Sequence, residues 1–507
     1  MKKWLVLFSI GIFLFLANLD MTIVNLALPE FSQVFRATMP QIQMVVVSYL
    51  TAAAAFFCLF GRLADSIGKR RVFIFGSLLF TLSSLYIGVW AATIEQVIFA
   101  RFVQGAGFAA TLGLALLLIA KAFPQDKKGF ATGVAVTVTG VGMALGPPLG
   151  GVILQYLDWR WIFLINVPLG LLSITLVILT VDKDDPAEKS KLKLDLPGVP
   201  LYLFALGCLI YLSNMVNHIS VLKSALVFGL FLIGTFLFVQ RSVRVSFPLI
   251  NVSLMKNVSY LKIILIRMIF NYTMASFLFV LPTLMQNVLN YSKLKSGIWL
   301  LAMTFSVAIV APLAGKVVDT VGYKLPIFVA LLLLTFCSLA FSFSGESMPI
   351  ALFSMGLLCF GVANGILTTS TIAGVNANAP KGQAGTAMGL FFTLVMIGSL
   401  FGVSISGLFI DLFSHFKLTQ MLGDSIGINT PEFLTLASYA NGSHNINELT
   451  STHLNFVSGN LSTLASVSFF SAFRTLMFFN AGLSMLAIAL CGSLMLRPQT
   501  NFNERSV

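Results

Sequence analysis

Asp20 and Arg101 each interrupt a long apolar run, residues 4–28 and 97–120. A charge inside such a run is costly to bury and is a functional hypothesis by default. Read as antiparallel helices, the two runs bring these charges to one depth. Asp20 lies roughly 22 Å along its helix at 1.5 Å per residue, which leaves it about 8 Å short of the far edge of a hydrocarbon core about 30 Å thick. Arg101 lies a few residues in from that same edge. An ion pair lowers the cost of burying both, and a proton on Asp20 dissolves it, giving a two-state element that one proton can flip. A permanent structural pair is the other reading. Asn25, Gln104 and Asn271, with Asn18 and Asn364, are neutral polar residues inside the runs, suited to lining a cavity or to bonding between helices. Arg267 has no acid near it in sequence. It either snorkels to a surface or contacts an anionic group. Asp411, near the end of a run, reads as solvated.

Other chemistry is missing. There is no GxxxxGK[ST] loop for nucleotide phosphates, and neither HExxH nor GxSxG occurs. His218, His415, His444 and His453 show no ligand spacing, and the five cysteines lie in apolar runs without a CxxC pair, so neither metal nor disulfide is expected. No cofactor is expected either. Work must be driven by an ion gradient, a substrate gradient or a partner.

Glycine and proline mark the places where helices must approach or bend. Gly142, Gly146 and Gly150 are spaced by four, so they fall on one face and admit a partner helix closely. Pro147 and Pro148, beside Gly151, remove backbone donors and bend the run, which suggests a hinge or tight seam. A short stretch, Gly61-Arg62-Leu63-Ala64-Asp65-Ser66-Ile67-Gly68-Lys69-Arg70, returns in degenerate form as Gly315-Lys316-Val317-Val318-Asp319-Thr320-Val321-Gly322-Tyr323-Lys324. Gly61 and Gly68 permit tight turns and close approach. Asp65 can cap a neighbouring helix N-terminus or pair with the basic cluster around Arg70. With Asp319 in the second copy, the set reads as a conformational latch.

The elements that must position these residues are membrane helices. The chain has 507 residues, 57% hydrophobic and 10% charged, against about 25% charged in soluble domains. Runs of about 20 apolar residues fit helices rather than the short alternating strands of a barrel. Fourteen spans are read, 4–28, 42–60, 72–92, 97–120, 130–155, 161–181, 197–216, 222–240, 259–285, 296–314, 325–344, 350–372, 383–412 and 471–496, the first retained rather than cleaved. With the N-terminus inside, 22 basic residues fall in cytoplasmic stretches and 7 outside, which puts both termini in the cytoplasm and explains the net charge of +13 without nucleic acid. The repeat divides the chain into a six-helix bundle at 1–181, a charged cytoplasmic loop at 182–196, two extra spans at 197–240 and a second bundle at 241–507. That last bundle includes an outer loop, 413–470, read as a tether or as a short ordered element over the outer mouth. Repeats of this kind place a substrate site between halves near the midplane.

The motifs resemble the major facilitator superfamily, specifically its fourteen-span drug:proton antiporter branch. The stretch from Gly61 to Arg71 resembles the superfamily signature after span 2, departing at Ser66, where a basic residue is usual. Leu19-Asp20-Met21-Thr22-Ile23-Val24-Asn25-Leu26-Ala27-Leu28-Pro29 and Arg101-x2-Gln104-Gly105-x-Gly107 are similar to the branch's span 1 and span 4 motifs. Gly142-x3-Gly146-Pro147-x2-Gly150-Gly151 is similar to its span 5 antiporter motif, and Asp158-Trp159-Arg160-Trp161-x-Phe163-x2-Asn166-Val167-Pro168-x-Gly170 to its sequence into span 6. The resemblance implies two six-helix bundles around a cavity, alternating access, a proton-transfer role for Arg101 and export of hydrophobic, often cationic compounds against protons. One central carboxylate suggests one proton per cycle.

The reading is therefore a multi-pass protein of a bacterial inner membrane. It is not an enzyme. It exports amphipathic toxic compounds in exchange for protons, with substrate, protons and lipid as partners. A dedicated exporter of one metabolite, such as a siderophore or organic anion, is the alternative within the same fold. A non-transporting receptor is the alternative of another class.

Overall fold

The computed structural model describes residues 2–124, 128–184, 195, 197–214, 221–245, 257–343, 350–378, 384–422, 431–441 and 461–495, and every regular element in them is helical. In chain order these are α1 (Lys2–Phe35), α2 (Met39–Ile67), α3 (Lys69–Val89), α4 (Ile94–Ala122), α5 (Lys128–Tyr156), α6 (Trp161–Leu164), α7 (Asn166–Thr180), α8 (Gly198–Asn214), α9 (Val221–Arg244), α10 (Val258–Thr283, continued by a π turn, Leu284–Val288), α11 (Lys293–Val321), α12 (Lys324–Ser342), α13 (Ile350–Asn378), α14 (Ala384–Leu422), α15 (Pro431–Ala440) and α16 (Leu461–Met495). Thirteen helical stretches among the described residues are long and apolar enough to cross a membrane. The seventh expected span is α8, a helix of 17 residues that packs on α9 and α2. Its Tyr202 hydroxyl donates to the Ala54 carbonyl at 2.7 Å.

Local chemistry sets the boundaries. Thr38 and Gln41 form a capping box at the start of α2. Asn257 accepts from the amides of Ser259 and Tyr260 to start α10. The two copies of the repeated motif end in the same turn. Gly68 (φ 114°) and Gly322 (φ 77°) both take left-handed backbone, and their amides close back on Ala64 and Val318 at 3.0 and 2.9 Å. A side chain at either glycine would be strained. Gly61 differs from expectation: it lies inside α2, and a Cβ there would meet nothing within 4 Å.

The helices gather into two groups. α1 to α7 pack on one another, as do α10 to α14 with α16, and the groups meet through α5 on α11, α2 on α14 and α1 on α10. We call the face holding Lys2 and Lys69–Arg71 the basic face and the other the distal face. Among the described residues, the polar contacts between groups fall from mid-helix to the distal face. Glu30 pairs with Lys293. Gln286 Nε2 donates to the Leu26 carbonyl at 3.1 Å, and Gln43 Nε2 donates to the Val403 and Ser404 carbonyls at 3.3 and 3.2 Å. Towards the basic face the groups touch through apolar contact, as in the Phe57–Phe392 stack at 5.7 Å. The two halves are zipped distally.

The distal segment between α14 and α16 is shorter than expected, because α14 runs on to Leu422 and α16 begins at Leu461. Within it α15 is ordered, burying Leu436, Ala437 and Ala440 against Leu418, Leu422 and Ala465.

Candidate functional site

Asp20 and Arg101 meet. The Arg101 side chain is 2% exposed and Asp20 is fully buried, and Nη1 donates to Oδ2 of Asp20 at 2.6 Å. α1 and α4 supply the pair, and α2 covers it. Tyr49 lies under the guanidinium with its ring centroid 4.2 Å away, and Nε donates to the Val45 carbonyl at 3.4 Å. Close packing makes this geometry possible: a Cβ at Gly105 on α4 would run into the Tyr49 backbone. Desolvated on all sides, the two charges are tolerable only together, and breaking such a buried pair by removing one partner typically costs about 3–5 kcal/mol.

Gln104, read as lining a cavity or bonding between helices, does the latter and completes the pair. Its side-chain oxygen accepts from Arg101 Nη1 at 2.6 Å, and Nε2 donates to Asp20 Oδ1 at 3.1 Å and to the Ser84 hydroxyl at 2.8 Å. A residue not expected at the site joins it. Asn166, fully buried, donates from Nδ2 to Asp20 Oδ1 at 2.7 Å and to Ser84 at 3.3 Å. It opens α7 just past the short α6, and the preceding residues fix that start. Trp159 packs edge-on against Phe31 and Phe35 of α1, and Arg160 lies over the Trp159 ring and donates to the Ala91 carbonyl at 3.0 Å. Asp20 thus receives one charged and two neutral donors, and a proton on it removes the charge that orders them. Asn25 and Asn271 do not join. Asn25 bonds the Met21 carbonyl of its own helix at 2.8 Å, and Asn271 donates to Ser399 at 3.2 Å.

The glycine stripe does what its spacing requires. A Cβ at Gly142, Gly146 or Gly150 would collide with Phe15, Thr22 or Ile23 of α1. Gly151 faces the other half, against the backbone of Lys293, Leu294 and Gly297 on α11. The double proline sits between these contacts. Proline at 147 and 148 deprives the carbonyls of Met143 and Ala144 of their helical donors. Each is answered by a threonine from outside the helix. The Thr22 hydroxyl of α1 reaches Met143 O at 3.2 Å while sharing its one hydrogen with its own Leu19 carbonyl at 3.1 Å. The Thr304 hydroxyl of α11 reaches Ala144 O at 3.1 Å. One freed carbonyl ties α5 to its own half, and the other ties it to the opposite half.

At the basic face, Arg70 is positioned by an acid from beyond the motif. Asp184 accepts from the amides of Arg70 and Arg71 at 3.1 and 3.3 Å, capping α3, while the Arg70 guanidinium donates to the Ile178 carbonyl at 2.6 Å. Lys2 pairs with Asp182 beside it. These ties run between α1, α3 and the end of α7, inside one half. The side chains of Asp65 and Asp319 lie outside the described residues.

A family model described as the Major Facilitator Superfamily matches residues 10–403. The chain is 33% identical over 409 residues to the multidrug resistance protein Stp of Mycobacterium tuberculosis, spanning 80% of this chain and 75% of that one. It is 27% identical over 384 residues to the riboflavin transporter RibZ of Clostridioides difficile (76% and 83%), and 29% over 430 residues to the drug efflux pump JefA of Mycobacterium tuberculosis (84% of each). In fold it is similar to a bacterial homolog of the human lysosomal transporter Spinster, solved inward-facing and unoccupied. The TM-score is 0.66 at 13% identity, covering 98% of this chain and 99% of that one.

Proposed function

The chain belongs to the major facilitator superfamily and is a membrane transporter rather than an enzyme, and from that premise we propose that it exports amphipathic drugs or toxic compounds in exchange for protons. The observation that carries the proposal is the sealed Asp20–Arg101–Gln104–Asn166 cluster. It holds one carboxylate, which one proton neutralises, and three donors whose arrangement depends on its charge. The multidrug resistance named for Stp and the drug efflux named for JefA support the substrate class.

In this reading the basic face is cytoplasmic, both termini lie there, α8 completes fourteen spans, and the membrane is a bacterial inner membrane. The distal zip is, in this reading, the closed side of an inward-facing state. Opening outward requires the Glu30–Lys293, Gln286, Gln43 and Thr304 contacts to part. Protonating Asp20 from outside releases Arg101 and loosens the α1–α4–α7 junction, and losing that proton inward restores it. The Gly61–Arg70 and Asp319 stretches act as the latch on the inner side. One proton per cycle yields about 1.4 kcal/mol per pH unit, and a neutral substrate adds the membrane potential, about 2.3 kcal/mol per 100 mV. No cofactor enters the cycle.

The test uses inverted vesicles with an acidic lumen. Adding lipophilic cations, neutral drugs or amphipathic anions in turn should release lumenal protons in wild type, with the response lost in Asp20→Asn. A dedicated metabolite exporter would answer to one compound class alone.

A further inference from the structure

The second cation of the helix interior is not answered by an acid. Arg267 on α10 donates from Nη1 to the Thr368 hydroxyl of α13 at 2.8 Å, and its guanidinium lies 5.1 Å from the Phe270 ring. Thr368 is itself fixed by donating to Asn364 Oδ1 at 3.0 Å, and Asn364 Nδ2 is held on the Met274 sulfur at 2.9 Å. Among the described residues Arg267 pairs with no carboxylate, and its Nε is buried without a hydrogen-bond partner. One helical turn on, Asn271 is 9% exposed, and its Oδ1 is also buried without a partner.

The other half answers the same problem differently. There the cation on α4 meets a carboxylate on α1; here the cation is on α10, and α13 offers it neutral oxygen. An arginine cannot shed its charge to escape burial, and a charge inside a membrane bundle without a partner is costly. Arg267 does not face lipid to relieve that cost, because its bond to Thr368 turns it towards α13, on a helix packed also on α1, α14 and α16. The residue as a whole keeps some exposure, while its Nε is buried.

We propose that Arg267 and Asn271 form a subsite for organic anions, with Arg267 taking a carboxylate or comparable acid group and Asn271 Oδ1 accepting from an N–H or O–H beside it. The two side chains stand i and i+4 on α10, about 5–6 Å apart at Cβ, which suits an acid group and an adjacent donor on one amphipathic molecule. The Thr368–Asn364–Met274 relay holds the guanidinium in place. The inference rests on the chain being an exporter and narrows its substrates to include amphipathic acids. The coupling cluster around Asp20 is left unchanged.

The probe is dansyl-phenylalanine, a carboxylate beside a sulfonamide N–H on an aromatic amphiphile, compared with its neutral carboxamide. Binding is followed by dansyl fluorescence on the purified full-length protein in lipid nanodiscs. The subsite predicts that wild type binds the acid about tenfold more tightly than the amide, and that Arg267→Gln erases this preference while changing amide affinity by less than about twofold. Arg267→Lys, which keeps the charge, retains part of the preference. Asn271→Ala weakens acid and amide alike, since both carry the N–H. Wild type that binds neither probe or shows no preference for the acid overturns the subsite. So does Arg267→Gln weakening both probes equally, with Arg267→Lys doing the same. The exporter reading is judged separately by proton release in vesicles and its loss in Asp20→Asn, so either can fail without the other.

Discussion

At the residue scale, Asp20 is a buried carboxylate held by one charged and two neutral donors, and the proposed coupling requires that arrangement to change when it takes a proton. Arg101→Ala should leave Asp20 buried with its cation gone and should alter the pH dependence of proton-coupled transport in vesicles. An unchanged profile would reduce Arg101 to a structural residue. Asn166→Ala removes one donor from Asp20 and one from Ser84. The cost expected is about 1–3 kcal/mol of stability, read as a lower melting temperature of purified protein, together with an altered pH profile. A variant that melts earlier with its pH profile intact would make Asn166 a packing residue. Asp20, Arg101 and Gln104 were legible in the sequence, because charged and amide side chains inside apolar runs stand out and helix geometry gives their depth. Asn166, Ser84 and Tyr49 were not assigned. Asn166 lies where α6 breaks into α7, a break that hydropathy does not register and that places its amide beside Asp20. The hydroxyls of Ser84 and Tyr49 leave no sign of cost in an apolar run. Asn25 shows the converse. Its type and depth fit a cavity, but its amide is consumed by its own helix at Met21.

At the element scale, α5 behaves as the seam that its glycines and prolines announce. The spacing of Gly142, Gly146 and Gly150 was enough to anticipate a close partner, and α1 fills that place. What answers the freed carbonyls was not legible, since a helical threonine usually bonds back to its own turn; the one hydrogen of the Thr304 hydroxyl is shared between Leu300 O of its own turn at 3.2 Å and Ala144 O at 3.1 Å. Thr304→Val keeps the shape, removes the bond between halves and leaves Ala144 O unsatisfied. It should shift the equilibrium outward, so that a cysteine placed beside Gly151 reacts faster with an impermeant thiol reagent added from the distal side. Thr22→Val strips the matching bond within one half and should leave that labelling rate close to wild type. Equal effects from both would mean that the prolines matter only for local stability. The repeated motif taught less at this scale. Its glycine turns, Gly68 and Gly322, share a positive φ, but Gly61 sits within α2 with open space around it, and the cap on α3 comes from Asp184, more than a hundred residues away.

At the scale of the whole molecule, two helix groups meet over a distal zip, and the proposed export cycle requires that zip to part. Glu30 and Lys293 sit partly exposed across it, one from each half. Reversing one charge, Glu30→Lys, should open the distal side and raise labelling there, and the double reversal with Lys293→Glu should restore it. Failure of the double variant to recover would place the pair outside the gate. Composition made the membrane class plain, because 10% charged residues cannot clothe a soluble surface. The order of helices followed from apolar runs and basic loops, whereas the conformation did not. Which face is zipped depends on side-chain contacts between distant helices, such as Gln43 with Val403, that no local pattern encodes.

The central claim is that Asp20 carries the proton that drives export. The most direct measurement is lumenal pH in acid-loaded inverted vesicles on adding an amphipathic substrate, with wild type and Asp20→Asn inserted to equal levels. The account predicts proton release by wild type and none above the empty-vector level by Asp20→Asn. Equal release by a well-inserted Asp20→Asn protein would contradict it.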